Sequence, residues 1–171
     1  MPEDSMNRLR NSGLLVSVTE LAEIIGIDPV TIDNWLRRKI ITRVPPGQRK
    51  FRNRLFSAEE VYKAALKNGL VKVGIPPSPA SEAVNALWKQ WNKELPPEGR
   101  NLYALLSPSK DNWIVVLCAQ RTSGGPLYEF GRSTGIISGS QTTLPKQASA
   151  LLPISDIFEY VSRKMSALLG G

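Results

Sequence analysis

The sequence predicts an α+β protein with helices first, a proline-rich linker next, and a small C-terminal domain that combines an antiparallel sheet with a terminal helix. Three observations predict this class. Apolar residues recur at helical spacing through most of residues 17–69. Three prolines, Pro76, Pro77 and Pro79, then interrupt the pattern. Short apolar runs separated by turn-forming residues, which are typical of antiparallel strands, follow from residue 102.

The expected domain boundaries follow from these patterns. We expect a helical domain over residues 1–75, a proline-rich linker with a short helix over 76–100, and an α+β domain over 101–171. A chain of 171 residues is long enough for two small domains of this kind.

The first two helices carry clear end signals. Ser17 and Glu20 have the spacing of a capping box, and Gly26 suits the left-handed end of the same helix. Asp28 is expected to cap the second helix, with Pro29 at its first position, where the missing N–H costs nothing. The inward faces of the two helices share helical spacing and consist of Val18, Leu21, Ala22, Ile25, Ile32, Trp35 and Leu36.

A strand and a third helix follow. After a proline-glycine turn, apolar and basic residues alternate, which predicts a strand with Arg52 and Arg54 on its outer face. Ser57 and Glu60 have the spacing of another capping box. They should open a third helix that stops near residues 68 and 69.

The C-terminal half has weaker signals. A helix is expected over residues 81–95, with an apolar stripe of Val84, Leu87, Trp88 and Trp91. Three strands of an antiparallel meander are expected at residues 102–106, 113–121 and 127–131. A polar loop should cover residues 138–149. The apolar face of the terminal helix consists of Ile154, Ile157, Phe158, Val161, Met165 and Leu168.

Positive charge is concentrated in one part of the chain. The sequence has 22 basic and 15 acidic residues, a net charge of +7. Residues 34–58, which we call the basic segment, contain eight cations and no carboxylate. A solvated face usually mixes both signs, so this segment indicates contact with a polyanion.

The outward residues of the second helix fit base and phosphate contacts. Thr31, Asn34 and Arg37 carry groups that pair with base edges, whereas cations near the helix end suit phosphates. Asp33 either accepts from cytosine or holds Arg37 in place. The candidate DNA-contacting residues are Thr31, Asn34, Arg37, Arg38, Lys39, Arg43, Arg49, Lys50, Arg52 and Arg54.

Residues 15–72 resemble the MerR-like winged helix-turn-helix regulators and the related excisionase-type DNA-binding domains. The matching stretches are residues 18–27 (VTELAEIIGI), 28–32 (DPVTI) and 54–57 (RLFS). The resemblance implies that residues 1–75 form a winged helix-turn-helix DNA-binding domain, with a recognition helix from Pro29 and a wing through Arg54. It also implies a dimer bound to a roughly twofold-symmetric site.

Composition argues against an enzyme and against a membrane protein. The chain has no histidine, which removes the commonest general base and the commonest zinc ligand. Residues 131–135 match the G-x-S-x-G pattern, but Ser133 has no histidine to activate it. We expect no catalytic residues, no metal and no cofactor. Without a long apolar run or a secretory signal, we expect a cytoplasmic, nucleoid-associated protein.

The sequence therefore supports two alternative functions. The first is a sequence-specific regulator of transcription that binds double-stranded DNA as a homodimer or higher homo-oligomer, with a C-terminal domain that oligomerises or contacts a protein partner. The second is an architectural or packaging factor of a mobile element or phage, either excisionase-like or a small DNA-recognition subunit. Ordered oligomers that bend DNA would favour the second, and a simple dimer on an operator would favour the first.

Overall fold

The computed structural model describes residues 15–45, 55–94, 113–122, 125–132 and 148–168. In chain order, the elements within these ranges are β1 (Leu15–Val16), α1 (Val18–Ile25), α2 (Pro29–Arg37), β2 (Phe56–Ser57), α3 (Ala58–Lys72), α4 (Pro77–Glu94), β3 (Trp113–Thr122), β4 (Gly125–Arg132), β5 (Ala148–Pro153) and α5 (Ile154–Leu168). Helices combined with antiparallel sheets confirm the α+β class.

The chain divides into two compact units, one of residues 1–68 with 158–171 and one of residues 69–157. This division differs from the expected boundaries, because α5 from Phe158 onward groups with the N-terminal part and not with the sheet. The physical reason is a contact with α3. The rings of Tyr62 and Phe158 meet edge to face with centroids 4.9 Å apart, and the Tyr62 hydroxyl lies 2.8 Å from Ser162 Oγ.

The first unit forms as its local signals predict. Ser17 Oγ accepts from the Glu20 amide at 3.2 Å, and the Glu20 carboxylate accepts from the Ser17 amide at 2.7 Å, which confirms the capping box. The core of this unit combines residues from its helices and strands. It includes Val16, Leu21, Ile24, Ile32, Trp35, Phe56, Val61, Leu66, Phe158, Val161 and Met165.

The strands of the first unit are short. β1 and β2 pair antiparallel, with Leu15 opposite Ser57 and Val16 opposite Phe56. Most of the strand expected before Ser57 lies outside the described residues. The Ser57 hydroxyl accepts from the Glu60 amide at 3.3 Å, as expected at the start of α3. This helix continues past its expected end near Gly69 as far as Lys72.

The predicted extended linker is wrong over residues 77–81, because these residues begin α4. Pro77 and Pro79 occupy the first and third helical positions, where the backbone N–H has no partner within the helix, so neither ring breaks the helix. Val84, Leu87 and Trp88 are buried as predicted. The side chain of Trp91 lies outside the described part of the chain.

The second unit contains a three-stranded antiparallel sheet in the order β4-β3-β5. The predicted strands at residues 113–121 and 127–131 are confirmed as β3 and β4, and each is slightly longer than expected. The strand expected at residues 102–106 lies outside the described residues. The sequence missed β5, which pairs with β3 from Ile114 opposite Pro153 to Cys118 opposite Ala148.

Candidate nucleic-acid interface

Helix α2 presents one polar face to solvent. Ile32 and Trp35 are buried, whereas Leu36 and Thr31 are half-buried. The residues of α2 that are exposed share the opposite side of the helix or its two ends, and they are Pro29, Val30, Asp33, Asn34 and Arg37. Arg38 and Lys39, which follow the helix, are exposed too. The face is therefore accessible along the whole helix.

The start of α2 is fixed as the sequence predicts. Asp28 Oδ1 accepts from the Val30 amide at 2.7 Å, and Pro29 takes the first helical position. A carboxylate at this end also suits the positive end of the helix dipole. The orientation of the first turn is thus set locally.

Helices α1 and α2 have the same kind of C-terminal cap, but a different residue takes the left-handed position in each. In α1 the left-handed position is Gly26, with φ 68°, and the Ile27 amide donates to the Ala22 carbonyl at 3.0 Å. In α2 the Ile40 amide donates to the Trp35 carbonyl at 2.8 Å, and Lys39 takes the left-handed position with φ 56°. Lysine therefore stands where the backbone favours glycine.

Asn34 and Arg37 form a pair on the exposed face of α2. The Arg37 guanidinium donates to Asn34 Oδ1 at 2.5 Å. One helical turn separates the two residues, so the pair lies along the helix surface. The sequence left open whether Asp33 holds Arg37, and the structure gives that guanidinium Asn34 as its partner. Asn34 and Arg37 consequently present their remaining donors as one unit.

A shallow depression, open to solvent, lies beside the C-terminal end of α2. Three cations contribute to it, namely Arg37, Lys39 and Arg43. Its other lining residues are Asp33, Leu36, Ile41 and Thr42. Three cations against the one carboxylate leave an excess of positive charge, which suits phosphate oxygens.

A buried polar cluster holds the segment after α2 against α3. The Glu60 carboxylate accepts from the Thr42 amide and from its hydroxyl, both at 3.1 Å. Lys67 Nζ donates to the Ile40 carbonyl at 2.6 Å and lies 3.5 Å from the Glu60 carboxylate. Burial lowers the pKa of Lys67, although the charge of Glu60 opposes that shift. These contacts fix the direction in which α2 ends.

The residue after Lys67 holds the other helix. Asn68 Nδ2 donates to the Ile25 carbonyl at 2.8 Å, at the C-terminal end of α1. Both Lys67 and Asn68 are buried, at 2% and 6% exposed. Two consecutive residues of α3 therefore hold the ends of α1 and α2, which sets the angle at which α2 is presented.

The segment after α2 returns to the strands of the unit. The Val44 amide donates to the Leu55 carbonyl at 2.8 Å, and the Leu55 amide donates to the Val16 carbonyl at 2.9 Å. Leu55 thus links Val44 to β1. The remaining candidate cations, Arg49, Lys50, Arg52 and Arg54, lie outside the described residues.

The structure brings some candidate residues together and adds others. Thr31, Asn34, Arg37, Arg38, Lys39 and Arg43 all lie on α2 or within six residues after it. The sequence missed Lys67 and Asn68 as positioning residues. The only signal for them is two polar residues between Leu66 and Leu70 in an apolar stretch of α3. Such a signal marks buried polar groups but does not identify their partners.

A scan against models of known protein families finds no match to this chain, and a search of curated proteins finds none either. Within the described ranges, no helix combines the length and the apolar character needed to cross a membrane. The same ranges contain no group of three or more acidic or cysteine side chains placed to hold a metal ion.

Proposed function

We propose that residues 15–72 form a winged helix-turn-helix that binds double-stranded DNA, with α2 as the recognition helix. The observation that carries the proposal is the exposed Asn34–Arg37 pair beside the depression lined by Lys39 and Arg43. Arg and Asn are the residues that pair most often with guanine and adenine in the major groove. Cations at the end of the same helix suit the flanking phosphates.

The packing of the first unit supports this proposal. A recognition helix must project from a rigid support if its side chains are to meet fixed base edges. Here Ile32 and Trp35 anchor α2 in the core, while Lys67 and Asn68 hold the helix ends. The basic segment continues into residues 46–54, and we assign their cations to the DNA backbone or to an adjacent minor groove.

We propose that the protein acts as a sequence-specific regulator of transcription, without catalytic activity, as a dimer near the nucleoid. Occupancy of a site is then the mechanism. The alternative role as an architectural or packaging factor uses the same interface, and it differs in predicting ordered oligomers along bent DNA. We assign the second unit to oligomerisation or to the binding of a protein partner.

The test is selection of bound duplexes from a random pool by the full chain, followed by a salt titration against a scrambled duplex. We expect a distinct motif, bound about a thousandfold more tightly than the control. Steep salt dependence without a motif would refute sequence-specific recognition and leave only a general polyanion surface. DNA bending with stepwise oligomers would select the architectural role.

Two matched variants locate the interface. Arg37→Ala should reduce the preference for the selected duplex, because it removes the donor that pairs with a base. Arg163→Ala removes an exposed arginine from α5, away from α2 in sequence, and should leave binding unchanged. Equal losses for the two variants would contradict the assignment of α2.

A further inference from the structure

Val30 is an exposed apolar residue on the polar face of α2. It is 64% exposed, more than the other large hydrophobic residues that the structure describes as exposed. Of these, Val73 follows the end of α3, Tyr160 lies below the Lys164 ammonium, and Leu168 ends α5. Single exposed hydrophobic residues are common on proteins. The position of Val30 in the first turn of the candidate recognition helix gives this one a specific meaning.

The charges along α2 show which half of the helix suits base edges. Asp28 caps the N-terminal end of α2, Asp33 lies at its midpoint beside the cationic depression, and both are exposed. The cations Arg37, Arg38 and Lys39 come at the C-terminal end. The first turn carries no cation to attract phosphates, whereas Arg38 and Lys39, which follow the helix, are available to them. The N-terminal half, which carries Val30, therefore suits the floor of the groove and not its phosphate walls.

An apolar group at the floor of the major groove has one common partner. Among the four base pairs, only the thymine C5 methyl group presents an apolar surface there. Val30 lies seven residues before Arg37, which at about 1.5 Å per residue is roughly 10 Å along the helix axis. For a recognition helix that runs along the groove, with about 3.4 Å between base pairs, this separation corresponds to roughly three base pairs.

We propose that Val30 contacts a thymine methyl group, about two to four base pairs from a guanine that pairs with Arg37. This inference rests on the proposed DNA-binding function and adds its base preference. The Asn34–Arg37 hydrogen bond supports it, because it directs the guanidinium toward Asn34, which leaves the guanidinium about 6–10 Å from Val30 along the helix axis. The specificity of the helix then combines one apolar contact with one bidentate polar contact.

The experiment replaces single bases in the duplex selected by the full chain. Uracil in place of each thymine in turn removes only the C5 methyl group. We expect one replacement to weaken binding about four- to fifteenfold, as burial of one to two methyl-sized groups predicts. Replacing each guanine by 7-deazaguanine, which removes the N7 acceptor, should identify the Arg37 contact within two to four base pairs of that thymine.

A second set of measurements assigns the methyl contact to Val30. Val30→Ala removes two methyl groups from the contact and should therefore show a smaller difference between thymine and uracil duplexes than the unmodified chain. Because Val30 is exposed, the fold should be retained, which circular dichroism checks. Leu168→Ala, an exposed apolar residue on α5, should keep the full preference for thymine.

The outcomes separate this inference from the proposed function. A selected motif with no thymine, or with no effect of uracil, would refute the Val30 contact and leave DNA recognition standing. A uracil effect of unchanged size in Val30→Ala would also refute the Val30 contact alone, and so would an Arg37-dependent guanine outside the expected distance. Absence of any selected motif would refute both proposals.

Discussion

Lys39 offers a direct test of how α2 ends. Its φ of 56° places an L-residue with a side chain in the left-handed region, which costs about 1–2 kcal/mol. Glycine removes that cost, but it also stabilises the unfolded chain by about 0.4–1 kcal/mol through greater conformational entropy. We therefore expect Lys39→Gly to be more stable than Lys39→Ala by about 0.5–1 kcal/mol. Both variants lose the same charge, so their difference isolates the backbone.

Urea denaturation followed by circular dichroism measures this difference. Gly26→Ala is the matched control at the end of α1, where φ is 68° and an added Cβ would meet no atom within 4 Å. The Gly26→Ala variant should have a free energy of unfolding about 0.5–1 kcal/mol lower, because alanine is strained in the left-handed conformation. The same two Lys39 variants should bind DNA equally weakly, with the salt slope reduced by about 1. Equal stability of Lys39→Gly and Lys39→Ala would refute the argument from the backbone.

Four further predictions test the interface and its support. Arg37→Ala should lower discrimination at one or two base pairs by about 1–3 kcal/mol, whereas Arg43→Ala should weaken all sequences nearly equally, as competition binding with single-base variants would show. Burial lowers the pKa of Lys67 in the folded chain. Between that folded pKa and the ordinary value of 10.5, the unfolded chain therefore binds more protons than the folded chain, so the free energy of unfolding should rise with pH over that window. Urea midpoints of Lys67→Met across alkaline pH should lack that rise, and a parallel rise in both proteins would contradict it. Asn68→Leu should destabilise the first unit by about 1–3 kcal/mol through loss of the donor to Ile25, and an unchanged urea midpoint would count against that bond. Phe158→Ala should cost about 3–5 kcal/mol, and faster hydrogen exchange in α1 would place the loss in the first unit.

The helix starts of the first unit were predictable because their causes are local. The capping box of Ser17 with Glu20 and the cap at Asp28 each involve residues within one turn. The exposed residues of α2 were predictable for a similar reason, since the buried positions Ile32 and Trp35 determine the opposite face.

The sequence was less informative where the deciding contact is distant. The prolines at the start of α4 fit both an extended linker and a first helical turn, and the sequence does not distinguish these two structures. β5 needs β3 as its partner, some thirty to forty residues earlier, and its first two residues fall in the polar loop that the sequence predicts. The apolar face of α5 was predicted, but the contact of Phe158 with Tyr62 follows from packing alone. The bonds of Lys67 and Asn68 are of the same long-range kind.

The adjacency of Lys67 and Asn68 has a consequence for how this protein can change over time. The two residues bind carbonyls at the ends of α1 and α2, so they fix the length of the chain between those points. Inserting one residue into α2 would rotate its end by about 100° and move the Ile40 carbonyl away from its donor. Substitutions at Val30, Asn34 or Arg37 disturb neither bond. Under the proposed function, new base preferences arise by replacing side chains on a helix of constant length, whereas an insertion or deletion in α2 breaks at least one of the two bonds and costs about 1–3 kcal/mol.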